Sequence, residues 1–186
     1  TRERMAAEVG GLEAFEGLGV ETLHSGEDVA LELVSDDIVE RVKAVAQIIT
    51  DVSDDFFQDP EMVTASLRTL TLLATRNPSS FRRGANDANT AATVCWISGR
   101  NNEWFDRSVK GRTIKAMKEA FGTRADLPAR AGTMLRHRDT VFSTPHRLAL
   151  GDPQLLTSTR RKMLVEWREK SDLLLSLSRQ ADDGQR

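Results

Sequence analysis

The sequence has little of what several classes of protein require. Its 186 residues include one cysteine, which excludes an intramolecular disulfide and indicates a reducing, cytoplasmic environment. No apolar run approaches the ~20 residues of a membrane-spanning helix, and residues 1–5 do not resemble a signal peptide. The three histidines, His24, His137 and His146, have no cysteine or acid at ligand spacing. The sequence therefore predicts no membrane association, no metal site and no cofactor.

Catalytic motifs are missing as well. The chain has no Gly-x-Ser-x-Gly elbow, no phosphate-binding loop, and no credible Ser/His/Asp or Cys/His pairing. Cys95 lies between Val94 and Trp96 in an apolar stretch, which favours an inert buried thiol over a nucleophile. We therefore expect the protein not to be an enzyme.

What the chain does have is helical periodicity. A first helix is predicted from apolar residues at i, i+4, i+7, i+11 and i+14, which are Ile38, Val42, Val45, Ile49 and Val52. Asp59, Pro60 and Glu61 form a strong start signal for a second helix, which should end at Asn77. A third helix, over about residues 88–100 and capped by Asp87, is apolar on most sides and should be central.

The most informative stretch is residues 89–137, where two short helical patterns follow the third helix. Residues 113–122 end at Gly122, where a helix-turn-helix requires a glycine. A new pattern starts at Asp126, with Leu127, Ala131, Met134 and Leu135 at helical spacing. Such a geometry usually presents its second helix to a partner, most often the major groove of DNA.

The remaining segments are predicted with less regular patterns. Residues 1–34 should form an acidic, glycine-containing extension with a short helix over residues 12–15 and a short strand over residues 29–34. Residues 35–140 should form the helical domain, and residues 141–186 a C-terminal extension packed on it. From about Ser158 the extension is a long helix whose apolar residues are available for packing, namely Met163, Leu164, Trp167, Leu174, Leu175 and Leu177. The predicted fold class is all-α.

Several of these motifs resemble a known family. They are Asn77-Pro78, Phe81-Arg82-Arg83-Gly84, Ala91-Ala92-Thr93-Val94-Cys95-Trp96 with Gly99, Asn101-Asn102, Thr113-Ile114-Lys115, Ala120-Phe121-Gly122, Arg130-Ala131, and Leu150-Gly151-Asp152-Pro153 with Leu155-Leu156 and Arg160-Arg161. The pattern is similar to the cyclin-like repeat of transcription factor TFIIB, and closer to an actinobacterial family of uncharacterised helix-turn-helix proteins with a TFIIB-like core. The resemblance covers about residues 38–161, roughly two-thirds of the chain.

The resemblance implies a cyclin-like five-helix domain that contains a helix-turn-helix, followed by a long C-terminal helix. In TFIIB-like repeats the helix-turn-helix contacts DNA, whereas cyclins bind other proteins with the same five helices. This chain departs from the usual pattern at Lys118, where the position four residues before the glycine is normally small. The turn over residues 123–126 is also atypical.

The charges are distributed unevenly along the chain. Residues 1–61 hold 16 acidic and 4 basic side chains, whereas residues 76–138 hold 13 basic and 5 acidic ones. The basic half is what a nucleic-acid-binding face would need. Alternatively, the acidic half packs beside it and neutralises it.

The candidate contacts with nucleic acid follow from this distribution. Those on or beside the second helix of the pair are Arg124, Arg130, Arg136 and Arg138, and those on the first are Lys115 and Lys118. Four further arginines lie beside helix starts, where the dipole disfavours cations, so each needs an external anion or a carboxylate of this chain; they are Arg82, Arg83, Arg160 and Arg161. The alternative for the whole set is a solvated face with internal salt bridges.

Three functions remain open from the sequence, and the weakest of them is an enzyme whose site has no recognisable motif. The preferred one is a DNA-binding transcriptional regulator that uses residues 114–137, with double-stranded DNA as the partner. The second is a protein-interaction adaptor with a cyclin-like groove, in which the C-terminal helix binds a partner protein or forms a homodimer.

Overall fold

A computed structural model describes residues 2–82, 86–136, 142–144 and 147–183. Within these residues the chain is mostly helical, so the predicted all-α class is confirmed. The helices are α1 (Arg2–Glu8), α2 (Leu12–Glu16), α3 (Val39–Phe57), α4 (Pro60–Arg76), α5 (Ser79–Arg82), α6 (Asp87–Asn101), α7 (Ile114–Ala120), α8 (Leu127–Met134) and α9 (Ser158–Asp183). Each described helix is too short or too polar to cross a membrane.

The irregular parts include three 3₁₀ turns and one small sheet. The turns are Leu31–Leu33, Asp36–Ile38 and Pro153–Leu155. Strand β1 (Phe142–Thr144) pairs antiparallel with β2 (Arg147–Ala149), and Ser143 lies opposite Leu148.

Local signals fixed most of the helix boundaries. The side chain of Asp59 accepts a hydrogen bond from the backbone N–H of Glu61 at 2.9 Å, as expected for the cap of α4. For α6 the cap is Asn86, whose side chain accepts from the N–H of Ala88 at 2.7 Å, and Asp87 is the first helical residue instead of the predicted cap. Asn and Asp cap helices equally well, so the sequence could not show which of the adjacent residues Asn86 and Asp87 is the cap.

The predicted strand over residues 29–34 is wrong. The backbone N–H of Leu31 donates to the carbonyl of Val29 at 2.8 Å, and the N–H of Val34 donates to the carbonyl of Leu31 at 3.0 Å. Because these bonds are local, the segment forms a 3₁₀ turn, while Val29 and Val34 both point into the core. The apolar pattern that suggested a strand therefore reflects two buried valines, Val29 and Val34, that lie on either side of this turn.

Helix α6 is the centre of the main core, as predicted. Its residues from Thr90 to Gly99 are all buried, and Val94, Cys95 and Ile97 are completely inaccessible to solvent. Helices α3, α4, α7 and α8 and strand β2 all contact α6. A helix surrounded in this way has no need of a polar face, which explains its composition.

A smaller core joins the two ends of the chain. Helices α1 and α2 pack on the start of α9, and this cluster comprises Ala6, Val9, Phe15, Leu18, Leu156 and Leu164. Gly10 has a left-handed φ of +95°, and a Cβ there would lie 2.7 Å from the carbonyl oxygen of Gly151. Only glycine allows this close approach, so the N-terminal segment is docked on the C-terminal segment.

Buried asparagines connect α6 to the chain that leads into α9. Asn101 accepts a hydrogen bond from the N–H of Leu150 at 2.9 Å, and Asn102 accepts one from the N–H of Thr157 at 2.8 Å. The amide group of Asn102 also donates to the carbonyl of Leu155 at 3.0 Å. These side chains satisfy backbone groups that would otherwise be buried without partners, which gives this motif a structural role.

Candidate nucleic-acid interface

Two short helices joined by a turn, α7 and α8, lie where the sequence predicted the helix-turn-helix. The hydroxyl of Thr113 caps α7 by accepting a hydrogen bond from the N–H of Ala116 at 3.1 Å. Gly122, with φ +60°, lies in the left-handed region just after α7. The carboxylate of Asp126 caps α8 by accepting from the N–H of Ala129 at 3.1 Å.

The inward faces of both helices are anchored on α6. Met117 of α7 and Leu127 and Ala131 of α8 are almost completely buried in the main core. The atypical turn between the helices has its own anchor, because the hydroxyl of Thr123 donates to the side-chain oxygen of Asn89 near the start of α6. These contacts fix both helices on the core, and the exposed residues of α7 and α8 lie on the side that faces solvent.

A loop between α6 and α7 adds a second element that the sequence did not predict. The carboxylate of Asp106 accepts hydrogen bonds from the N–H and hydroxyl of Ser108 at 2.8 and 2.7 Å. These bonds hold the pKa of Asp106 below its usual range. The backbone N–H of Asp106 also donates to the carbonyl of Arg112 at 3.0 Å, which closes the loop. An Asp-x-Ser turn followed by Gly111 was the available sequence signal.

Aromatic packing fixes the base of this loop. The ring of Trp104 makes an edge-to-face contact with Phe57 at 4.9 Å and another with Phe105 at 5.5 Å between centroids. The guanidinium carbon of Arg112 lies 5.3 Å from the centre of the Trp104 ring, a distance at which a cation is attracted to the ring face. The packing of Trp104 therefore fixes the position of the loop that carries the exposed cations.

Most cations of this region are exposed and form no salt bridge with another described residue. We call residues 106–136 the basic segment; it holds eight basic and three acidic side chains. Of the predicted contacts, Lys115, Arg124 and Arg136 are exposed, while Lys118 and Arg130 are partly buried. The loop contributes three further exposed cations, Arg107, Lys110 and Arg112. The only salt bridge that the described residues form here is a loose one, 3.8 Å long, between Lys115 and Glu119.

Two of the predicted contacts need correction, because Arg160 and Arg161 are buried. The guanidinium of Arg160 is bound by Glu8 at 2.5 Å and by Glu103 at 2.8 Å. That of Arg161 donates to the carbonyl of Pro153 at 2.7 Å and also pairs with Glu21 at 3.3 Å. The anions that these arginines need are carboxylates of this chain, so neither arginine is available to a nucleic acid.

Arg82 is half-exposed but is also paired. Its guanidinium contacts both carboxylate oxygens of Asp37, at 2.5 and 3.2 Å. Hydrogen bonds from Arg82 and Ser35 hold the pKa of Asp37 far below its usual range. The remaining two predicted contacts, Arg83 and Arg138, lie outside the described residues.

The acidic half therefore neutralises particular arginines and not the basic segment. Its carboxylates that form salt bridges with later helices are Glu8, Glu21, Glu27 and Asp37. Their partners outside the N-terminal segment lie on α4, α5 and α9. Neutralisation by the acidic half, one of the two alternatives, thus holds for these arginines, and among the described residues no such salt bridge reaches residues 106–136.

Cys95 is placed as an inert core residue. Its side chain is completely buried, and its sulfur lies 3.2 Å from the hydroxyl of Ser53. Burial raises the pKa of the thiol to about 12, although hydrogen bonds from Ser53 and Ser66 act in the opposite direction. We expect Cys95 to resist iodoacetamide in the native protein at neutral pH and to react on addition of denaturant, as measured by mass spectrometry. Rapid native alkylation would contradict this placement.

The comparisons with known proteins add no assignment to this geometry. Among the described residues, no group of three or more His, Cys, Asp or Glu side chains is arranged to hold a metal ion. No protein-family model, curated protein or solved structure matches the chain.

Proposed function

We propose that the protein binds double-stranded DNA through the basic segment and acts as a transcriptional regulator. The observation that carries this proposal is a contrast in how cations are paired. Outside the segment, Arg68, Arg82, Arg160 and Arg161 all contact carboxylates of this chain. Inside it, exposed cations have no salt bridge among the described residues except Lys115. Unpaired like charges repel one another in the free protein, and a polyanion relieves that repulsion.

The shape of α8 supports docking in a groove. Its exposed positions include Pro128, Ala129 and Gly132, which are small, and the exposed Arg136 lies just after the helix. A face of small residues flanked by cations allows the backbone to approach a duplex closely while arginines reach phosphates. Lys118, the departure from the usual pattern, does not obstruct this arrangement, because the fully buried side chain of α7 is the adjacent Met117.

We also infer that α3, α4, α6, α7 and α8 are the five helices of a cyclin-like domain. What supports this inference is the central position of α6, which each of the other four helices contacts. The helix order along the chain also matches that arrangement. In this assignment α7 and α8 are the helix-turn-helix of a TFIIB-like repeat.

One observation favours the adaptor as a second candidate function. An open groove of about 460 Å³ lies between α3 and α7, with Val52 and Phe56 among its apolar lining. Asp51 and Asp55 also line it. An apolar floor with acidic sides would suit a basic amphipathic peptide, so this groove would select a protein instead of DNA.

The test of DNA binding uses the salt dependence of affinity. The full chain is titrated with a short duplex of random sequence by fluorescence anisotropy, between about 50 and about 200 mM salt. The double change Arg124→Ala with Arg136→Ala should reduce the slope of log affinity against log salt by about two, since each lost phosphate contact removes about one unit. Both side chains are exposed, so the melting temperature should hardly change.

The matched control is Lys43→Ala with Arg76→Ala, which removes the same charge from exposed positions outside the basic segment. This pair should leave the slope unchanged. Equal effects of the two pairs would mean that only net charge matters and would count against a defined interface. Absence of duplex binding at the lowest salt would favour the adaptor, for which Asp51→Asn with Asp55→Asn should weaken capture of a basic amphipathic peptide.

A further inference from the structure

The exposed face of α8 has a composition that the fold of the chain does not explain. Helix α8 is described in full, and its exposed side chains are Pro128, Ala129 and Gly132. A helix face that meets only water is ordinarily polar or charged, whereas these three residues carry no charge and no polar side-chain group. The cations of the basic segment lie beside this face, so the nucleic acid that they attract would meet it.

Helical geometry places Ala129 at the centre of the exposed face. Successive residues of an α-helix are about 100° apart, so Ala129 lies about 160° from Leu127 and about 160° from Ala131. Both of those residues are buried in the main core. The methyl group of Ala129 is therefore directed away from the core. Gly132 lies about 60° from it, on the same exposed side.

Gly132 meets no requirement of the chain itself. Its φ is not in the left-handed region, and a Cβ at this position would have no neighbouring atom within 4 Å. Glycine inside a helix is less stable than alanine, because it loses more conformational freedom on folding. The use of glycine that fits such a position is to let another molecule approach the helix backbone closely. Gly132 thus indicates contact with a partner on this side of α8.

The same face lacks the groups that read bases by hydrogen bonds. In the major groove, those contacts come mainly from arginine, lysine, asparagine and glutamine, and the three exposed residues of α8 include none of them. The hydroxyl of the neighbouring Thr133 donates to the backbone carbonyl of Ala129 at 3.3 Å, so its proton is already used. Arg124 and Arg136 lie before and after the helix, positions that suit contacts with phosphates.

Hydrogen bonds at the start of α8 fix the position of Ala129. Its backbone N–H donates to the carboxylate of Asp126 at 3.1 Å. In the preceding turn, the hydroxyl of Thr123 donates to the side chain of Asn89 and accepts from the N–H of Ala125 at 3.1 Å. Two apolar groups are in contact only within about 4 Å, so a fixed backbone allows a single methyl group to discriminate between bases.

An apolar face of this kind can still recognise one base. Thymine is the DNA base that carries a methyl group, which projects into the major groove from C5, and alanine is among the side chains that contact it. Cytosine instead presents an amino group there, and the apolar face would leave that donor without a partner. We propose that α8 selects thymine-containing duplexes through contact between the methyl group of Ala129 and the C5-methyl groups of thymine. This selection rests on the proposed binding of duplex DNA by the basic segment.

Replacement of thymine by uracil tests the contact, because it removes the methyl groups and keeps every phosphate. The full chain is titrated by fluorescence anisotropy with a short duplex of A·T pairs and with the same duplex made with uracil. Burial of one methyl-sized group changes affinity by a factor of about four. The thymine duplex should therefore bind about fourfold more tightly for each methyl group contacted. Both duplexes should show the same salt dependence, since their phosphates are the same.

The variant Ala129→Gly removes the methyl group of the protein. Its ratio of thymine-duplex to uracil-duplex affinity should fall to about one, because the uracil duplex no longer lacks a contact that the thymine duplex makes. Any loss of helix stability weakens the binding of both duplexes and cancels in the ratio. The matched control Ala120→Gly removes an exposed methyl group at the end of α7, where the residue lines the groove towards α3. This control should keep the ratio of the parent chain.

The variant Gly132→Leu separates binding from stability. The new side chain would extend into open space and would replace a glycine inside a helix, so the melting temperature should not fall. The same side chain should hold α8 away from the groove and weaken binding of both duplexes by about tenfold. Unchanged binding by this variant would show that no duplex approaches α8 at Gly132 and would overturn the proposal.

The titrations distinguish failure of the selection from failure of DNA binding. If the parent chain binds neither duplex at the lowest salt, the proposed function is wrong and the selection falls with it. If it binds both duplexes equally, DNA binding stands and the selection by Ala129 is overturned. A preference for thymine that survives Ala129→Gly, or that is lost equally in Ala120→Gly, would also overturn it.

Discussion

Replacing Arg160 by alanine is expected to lower the free energy of unfolding by about 3–5 kcal/mol, because it breaks a buried ion pair from one side. Arg160 is 3% exposed, and the carboxylate of its partner Glu8 is almost equally buried. Glu103, the other partner, is held in the left-handed region with φ +52°. Loss of the guanidinium removes the cation that lies 2.5 Å from the buried carboxylate of Glu8, which is the costly part of the change.

Urea unfolding of the full chain, followed by circular dichroism, measures this effect. The matched control is Arg82→Ala, which removes an arginine from the exposed pair with Asp37; surface pairs of this kind contribute little. The double change Arg160→Met with Glu8→Gln should recover part of the lost stability, because it removes the stranded charge. A loss in Arg160→Ala no larger than in Arg82→Ala would contradict the role of Arg160.

Arg160 also shows which features of a buried ion pair can be predicted from neighbouring residues in the sequence and which cannot. A cation at the start of a helix is disfavoured by the dipole, and this misfit correctly indicated that Arg160 and Arg161 need anions. Nothing local could indicate that the anions are Glu8 and Glu21. Glu8 lies 152 positions before Arg160, and Glu21 lies 140 positions before Arg161. Glu8 reaches Arg160 because α1 docks against α9. The sequence therefore indicated that Arg160 and Arg161 need anions, but it did not indicate which carboxylates provide them.

The helices were predictable because their signals are local. The apolar stripe of α3 and the Asp59 cap of α4 act within a few residues, and both are present in the structure. Periodicity, however, indicates that one face is apolar without indicating what covers that face. Leu174 and Leu177 were predicted to be available for packing, and both are exposed in the structure.

The candidate site was predictable in part for the same reason. The order of α7, turn and α8 follows from caps and a glycine: the prediction covered residues 114–137, and the structure has helices over Ile114–Ala120 and Leu127–Met134. The loop over residues 102–113 was missed because its shape depends on the packing of Trp104 against Phe57, which is 47 positions earlier in the numbering. Its cations, Arg107, Lys110 and Arg112, extend the basic segment beyond the two helices.

A second large effect is expected at Glu61, which joins three parts of the chain. Its carboxylate accepts hydrogen bonds from the backbone N–H of Ser158 at 2.7 Å and from that of Leu23 at 3.0 Å. It also accepts from the hydroxyl of Ser158 at 2.5 Å. Glu61→Ala would leave two backbone donors without partners, so it should lower the free energy of unfolding by about 2–4 kcal/mol.

The contribution of Glu61 should depend on pH in a defined direction. Burial raises the pKa of this carboxyl, but the hydrogen bonds from Ser158 and Leu23 and the charge of Arg161 outweigh burial and hold the pKa below its usual value. A carboxyl with a depressed pKa in the folded state stabilises the protein fully above its unfolded pKa of about 4.3. That stabilisation is lost as the pH falls below this value and through the folded pKa, where the carboxyl becomes protonated in both states.

Comparison with Glu61→Gln isolates this titration, because glutamine keeps one acceptor and cannot ionise. The difference in unfolding free energy between the parent chain and Glu61→Gln should be constant from about pH 7 to pH 5, and it should shrink as the pH falls further. The exposed Glu40, whose salt bridge within the described residues is to Lys43 three residues later, provides the control Glu40→Gln, which should show little dependence on pH. A difference at Glu61 that persists unchanged well below the unfolded pKa would mean that the shape of the side chain, and not its charge, holds α9 to α4.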